Sequence, residues 1–211
     1  MSKAGGLCSY AIEGMTNNLN SIDTFKTLLY SALFAALTSA GALIRIPIPP
    51  VPITLQTLFV FLAGGLFGAR VGILSQVVYL CVGFLGLPVF SGGGGIGYLL
   101  QPQAGYLLGM PAAAYIIGRL SRRIRTRTDN LKRSKRYIFL HYSMIYSVGS
   151  LVIYLFGIAY LSFYAAIIVG YEFDIIDIIW IGCIIFIPTD LVKIIIASYI
   201  SVRMNRLNLF D

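Results

Sequence analysis

The chain has 211 residues, 58% of them hydrophobic and 11% charged, with a mean hydropathy of +0.84 and a formal net charge of +8. That balance excludes an ordinary soluble domain, and a chain of this length has room for about six apolar helices of about 20 residues and no separate soluble catalytic domain. The three cysteines, Cys8, Cys81 and Cys183, are odd in number and two lie in apolar runs. They read as small core residues rather than as a disulfide framework or a thiolate metal site.

In chain order, the first 20 residues lack the apolar core and cleavage site of a secretory signal peptide. Met1 to Gly14 carries no periodic or motif signal, so residues 1–20 are expected to form a disordered extension, with Met1 and Met15 both standing as starts. Residues 21–211 then form a single all-α membrane domain of six transmembrane helices. The first span covers residues 24–46 and stops at Pro47, Pro49, Pro50 and Pro52, which cannot continue a helix. The second and third, 53–67 and 71–87, share a tight turn at Gly68, Ala69 and Arg70; both are short, and neighbours or local bilayer thinning must cover the difference. Gly64, Gly68 and Gly72 make a smooth ladder across that turn, suited to internal packing. The fourth, fifth and sixth spans cover 103–120, 137–164 and 178–202.

Charge placement orients the bundle. Nine of the sixteen basic residues fall between Arg119 and Arg136, in the linker between the fourth and fifth spans. Lys26, Arg70, Arg203 and Arg206 fall on the same side, while Glu172, Asp174 and Asp177 fall on the other. The positive-inside rule therefore puts both termini in the cytoplasm of a multi-pass cell-membrane protein. Arg45 dissents by landing outside. The net charge serves topology and attraction to anionic membrane lipids, and needs no nucleic acid to explain it.

Asp190 and Lys193 stand three residues apart in the last apolar run, on one helix face. Each would cost roughly 2.5 to 3.5 kcal/mol at a bilayer centre if unmatched, so the pair points to a polar ligand site. Pro188 is expected to release a carbonyl near Ile184 that a pocket would satisfy. Two irregular loops add to the pattern: a proline-rich run from Arg45 to Pro52 leading into Gln56, and a glycine run from Gly92 to Gly95 that ends at Gly97-Tyr98. Irregular backbone at membrane depth is tolerated where it is buried in protein or lines a cavity. Both loops face outside, so a site closed by them loads from outside the cell. No phosphate-binding Gly-x-x-x-x-Gly-Lys-Ser/Thr loop occurs, so any pumping is powered by partners. No catalytic set of paired carboxylates, nucleophile with base, or metal-binding His/Cys cluster is evident, and the lone His141 reads as an interfacial side chain.

Three motifs in order, Ile48-Pro49-Pro50-Val51-Pro52-Ile53-Thr54-Leu55-Gln56-Thr57, then Gly86-Leu87-Pro88-Val89-Phe90 with the glycine run, then Pro188-Thr189-Asp190-Leu191-Val192-Lys193, resemble the BioY family. The resemblance spans about Ser31 to Val202. It implies the six-helix bundle of a biotin-specific S component of an energy-coupling factor (ECF) transporter, working with a T component and two ATPases, with biotin as transported ligand, no cofactor and no enzymatic activity. Carried over, the match puts Asp190 and Lys193 on the polar pair that contacts the ureido ring. It places Tyr98 and Tyr106 on the pocket walls, Gly93 and Gly94 in the ligand loop, and Gln56 as a further contact, with a capping or interhelical bond as its alternative role. Ala32, Ala36 and Ala40, at i, i+4 and i+8, resemble the stripe by which S components dock on the T component; packing within the chain is the alternative. The family's polar loop residue is replaced at Gly94, and Leu107 stands where relatives carry a charge. The valerate carboxylate is therefore left to loop amides, Gln103 or Arg45. The competing functional reading is a self-sufficient facilitator, or an S component for another vitamin.

Overall fold

The computed structural model describes the backbone of residues 3–131, 134–169 and 175–205, and side chains within 22–124, 134–167 and 177–204. The side chains of residues 1–20, where disorder is expected, lie outside that set, as do those of Glu172, Asp174 and Arg206. The described chain is mostly helical. Helix α1 (Lys3–Leu43) ends sooner than expected, because Arg45–Ile46 (β1) turns to pair antiparallel with Ile53–Thr54 (β2) across the proline loop. The second helical segment consequently begins at Gln56 rather than at residue 53.

Helix α2 (Gln56–Phe84) contains the expected turn. Gly68 has φ +84°, a left-handed conformation that only glycine adopts without strain. The chain doubles back there: a β-carbon built on Gly72 would fall 3.1 Å from the Cα of Gly64, a distance impossible along a straight helix. Helix α3 (Ala104–Leu131) crosses this hairpin, with the Ala114 carbonyl against both Gly64 and Gly72 and Gly118 against the turn itself. The ladder Gly64, Gly68 and Gly72 thus serves internal packing, as its smoothness suggests.

Helix α4 (Lys135–Tyr164) packs on α3 through Gly149, which receives the Ile117 side chain, and on α2 through the stacked rings of Phe61 and Tyr146, 5.4 Å apart. A π-helical turn, Ala165–Val169, follows. The last apolar run is not one helix. It is broken into α5 (Ile175–Gly182), a 3₁₀ turn (Ile184–Phe186) and α6 (Ile187–Asn205). Pro188 therefore stands in the first turn of α6, where its missing N–H would have no helical acceptor in any case. The carbonyl expected to be freed at Ile184 is taken by the Ile187 N–H, and that of Phe186 by the Thr189 hydroxyl at 2.9 Å. Two serine contacts, Ser143 to Ser198 at 3.0 Å and Tyr146 with Ser201 at 2.5 Å, tie α4 to α6.

By length and composition, four segments can cross a membrane: Ile22–Leu43, Gln56–Phe84, Lys135–Ile167 and Asp177–Met204. Leucines 28, 29 and 33, Leu151, Leu155 and Ile195 are exposed along these helices. In water such patches would drive association; facing acyl chains they are at no disadvantage. Cys81 is exposed and Cys183 half-buried, both as free thiols, so neither is the enclosed core residue expected. Helix α3 falls short of that apolarity, yet Ala113, Ala114 and Ile117 at its centre are wholly enclosed by α2 and α4.

Candidate ligand-binding site

Breaking the last apolar run sets the first turn of α6 inside the bundle with Asp190 on it. A carboxylate there is favoured by the positive end of the helix dipole. Asp190 and Lys193 are only 5% and 6% exposed, and the ammonium Nζ lies 2.7 Å from Asp190 Oδ1. Three residues along a helix is the spacing that allows this contact. The remaining capacity of each group is partly met from other helices. The Tyr154 hydroxyl on α4 donates to Asp190 Oδ2 at 2.5 Å, and Lys193 Nζ donates to Thr57 Oγ1 on α2 at 3.0 Å. Three helices therefore converge on one charged pair.

The pair borders a cavity of about 50 Å³. Its polar wall includes Thr54, Gln56, Thr57, Ser91 and Gln103, and its apolar wall is made by Val51, Leu107, Met110, Ile153 and Phe186. Gln56 is fixed at both ends, accepting from Thr54 Oγ1 at 2.7 Å and donating to the Tyr79 hydroxyl. Its interhelical bonding and its place on the cavity wall are thus compatible roles. Tyr106 also borders the cavity, but its hydroxyl donates to the Gly182 carbonyl at 2.7 Å. That bond satisfies an acceptor at the end of α5, so Tyr106 offers a ring face rather than a free hydroxyl.

The loop residues are placed differently from expectation. Tyr98 is buried against Phe90, ring centres 4.7 Å apart, and does not border the cavity. Its hydroxyl lies 2.9 Å from Ser91 Oγ and accepts from Gln103 Nε2 at 3.2 Å, so it braces two residues that do. Gly93 and Gly94 are also absent from the wall: a β-carbon on Gly94 would lie 2.1 Å from the Leu87 carbonyl oxygen, which makes that glycine a close-packing position of the loop. Tyr154, Thr57 and Ser91 are contributors that sequence reasoning did not single out. Ala32, Ala36 and Ala40 are all exposed on α1, while Phe34, Ala35 and Thr38 face the bundle, so among the described residues the stripe is not used for packing within the chain.

These features define a multi-pass membrane protein that encloses a small cavity bearing one buried ion pair, an arrangement suited to holding a polar ring between apolar walls. The chain belongs to the BioY family, whose model matches residues 15–209. A probable biotin transporter BioY of Lysinibacillus sphaericus is 46% identical over 135 residues, 64% of each protein. The biotin transporter BioY of Thermotoga maritima is 34% identical over 86% of this chain and 97% of its own length, and a probable biotin transporter BioY of Pyrococcus horikoshii is 38% identical over 85% and 96%. Among solved structures, the S component for biotin from an ECF-type ABC transporter superposes with a TM-score of 0.73 at 28% identity, covering 87% of this chain and 93% of the other.

Proposed function

We propose that this protein is the biotin-binding subunit of a vitamin uptake system, a carrier rather than an enzyme. The observation that supports it most is the buried Asp190–Lys193 pair on the cavity wall of a BioY-family chain. An ionised carboxylate accepts a ureido N–H, and an ammonium donates to the ureido carbonyl, so ring and pair complete one another. Tyr106, Leu107, Met110 and Phe186 supply the apolar contact that a fused bicyclic ring needs.

At about 50 Å³ the cavity is far below the roughly 300–1,000 Å³ of ordinary small-molecule sites, so entry of biotin requires its walls to part. The wall elements outside the long helices include the proline loop, with Val51 and Pro52, and the segment carrying Ser91. In the topology that charge placement supports, six spans with both termini in the cytoplasm, these loops lie on the outer side, and biotin is captured from there. Counting six spans treats the two limbs of α2 as separate crossings, adds α3, and takes α5 with α6 as one.

Energy comes from partners in this reading: a T component and two ATPases. The exposed stripe of Ala32, Ala36 and Ala40 is the docking face for the T component. Ala36→Leu is expected to leave biotin binding by the isolated subunit unchanged and to lower uptake by the assembled transporter several-fold in radiolabelled uptake assays. Full uptake by that variant would remove the docking role from this face.

The direct test is equilibrium binding of radiolabelled biotin to the purified protein in detergent. Saturable binding displaced by unlabelled biotin, and not by riboflavin or thiamine, is the expected result. A folded protein that ignores biotin but binds another vitamin would assign it a different substrate.

A further inference from the structure

Helix α3 lines the ligand cavity near its start and a separate groove further along. This groove, of about 400 Å³, is lined by Tyr115, Ile116, Arg119, Leu120, Arg122 and Arg123. Helical spacing sorts the face into two rows. Leu108, Ala112, Ile116 and Leu120, at intervals of four, form an apolar rail that is half-buried to exposed. Tyr115, Arg119 and Arg123 run beside it as a polar row whose members are all exposed. At 1.5 Å per residue the rail is about 18 Å long, close to the roughly 15 Å of hydrocarbon in one leaflet.

Tyr115 marks the level at which polarity changes along this face. Its ring centre lies 5.3 Å from the Arg119 guanidinium carbon, and its hydroxyl accepts from Arg119 Nε at 3.0 Å. An exposed tyrosine with an apolar rail on one side and cations on the other suits the boundary between hydrocarbon and headgroups. The bond to Tyr115 spends Nε and leaves the two terminal nitrogens of Arg119, which can fork onto a phosphate. Arg119 has no carboxylate partner among the described residues. We propose that this groove binds the headgroup of one anionic phospholipid, with an acyl chain lying along the rail from Leu120 toward Leu108. In the proposed topology the groove lies at the cytoplasmic face, where anionic lipids concentrate and basic recesses beside membrane helices hold their headgroups. The rail is what favours a lipid over a free phosphate or a protein partner, because it continues the cationic groove into the depth that acyl chains occupy. Attraction between a basic chain and acidic lipids is otherwise diffuse, whereas this groove holds a single molecule saturably.

The experiment titrates the purified protein in detergent with dioleoyl phosphatidylglycerol and, separately, with dioleoyl phosphatidylcholine, reading bound lipid by native mass spectrometry. Wild type is expected to bind one phosphatidylglycerol about tenfold more tightly than phosphatidylcholine, the scale of one charge-assisted contact at an exposed site. Arg119→Gln, Arg122→Gln and Arg123→Gln combined should bring the two lipids within about twofold. The same charge removed elsewhere, by Arg70→Gln, Arg136→Gln and Arg203→Gln combined, should leave the preference intact. All six arginines are exposed, so both triple variants should elute and melt like wild type. Equal affinity of wild type for the two lipids would overturn the proposal without reference to any variant. Equal loss of preference in both triple variants would show diffuse attraction instead of a site, and would overturn it as well. Displacement of the phospholipid by inorganic phosphate alone would make the groove a soluble-anion site. A groove variant that keeps its lipid preference while uptake by the assembled transporter falls would make it a partner contact, and either result removes the lipid assignment. Lipid supplied in detergent reaches the groove whichever way the chain crosses the membrane, so failure of the proposed topology would leave this result standing.

Discussion

Asp190→Ala is expected to weaken biotin binding by roughly 100-fold or more, the loss typical of removing one partner of a buried, hydrogen-bonded charge pair at an interface. Two effects act together. The ligand loses its carboxylate acceptor, and Lys193, buried and now held only by Thr57, becomes an uncompensated cation. Breaking a buried pair from one side costs about 3–5 kcal/mol of stability, so this variant alone would mix misfolding with lost recognition. The double variant Asp190→Asn with Lys193→Met separates them, because neutral side chains of similar size leave no orphaned charge. It should elute as a single folded species and still fail to bind. Retained affinity in the double variant would mean that the pair is structural and that the ring is read by other groups on the wall.

Tyr154→Phe is the milder companion. Its hydroxyl donates to Asp190 Oδ2 from α4, so its removal leaves one carboxylate oxygen without that partner. A loss of a few-fold to about tenfold in affinity is expected, consistent with one hydrogen bond to a charged group. The protein should still insert and fold, since the Asp190–Lys193 contact remains.

How far the site can be read from the chain depends on the range of the interactions that build it. Asp190 and Lys193 announce themselves because two charges three apart in an apolar run are too costly to leave facing lipid. The turn at Gly68 is legible for a similar reason, since glycines at a spacing of four flank a basic residue between two apolar segments. Tyr154 carries no such mark. It is one of 14 tyrosines in the chain, and its link to Asp190 spans 36 residues and exists only once α4 lies against α6. The break between α5 and α6 is hidden by the apolar run around it: hydropathy records that residues can sit in lipid, not whether their backbone is helical. Tyr98 shows the reverse failure. An aromatic residue at the end of a glycine loop suits a ligand wall and a loop core equally well, and packing against Phe90 decides for the core.

Gly118→Ala tests the packing of the fold away from the charged pair, and its sign follows from setting two magnitudes against each other. Alanine is favoured over glycine inside a helix by about 1 kcal/mol, so propensity alone would make this substitution stabilising. The added carbon, however, would lie 2.2 Å from the Ala69 nitrogen and 2.5 Å from both the Ala69 Cα and the Gly68 carbonyl carbon. All three are main-chain atoms of a tight turn, which cannot rotate aside as a side chain could. Either α3 lifts off the α2 hairpin or the turn at Gly68 deforms, and overpacking of this kind costs about 1–3 kcal/mol or more. Packing therefore wins, and thermal unfolding in detergent should shift to lower temperature. Gly97→Ala is the matched control, because nothing lies within 4 Å of the added carbon there, and it should leave the transition unchanged. The effect should also reach the ligand, since α3 carries Tyr106, Leu107 and Met110 to the cavity wall. Wild-type stability in Gly118→Ala would mean that α3 does not cross the turn this closely, and the placement of that wall would have to be redrawn.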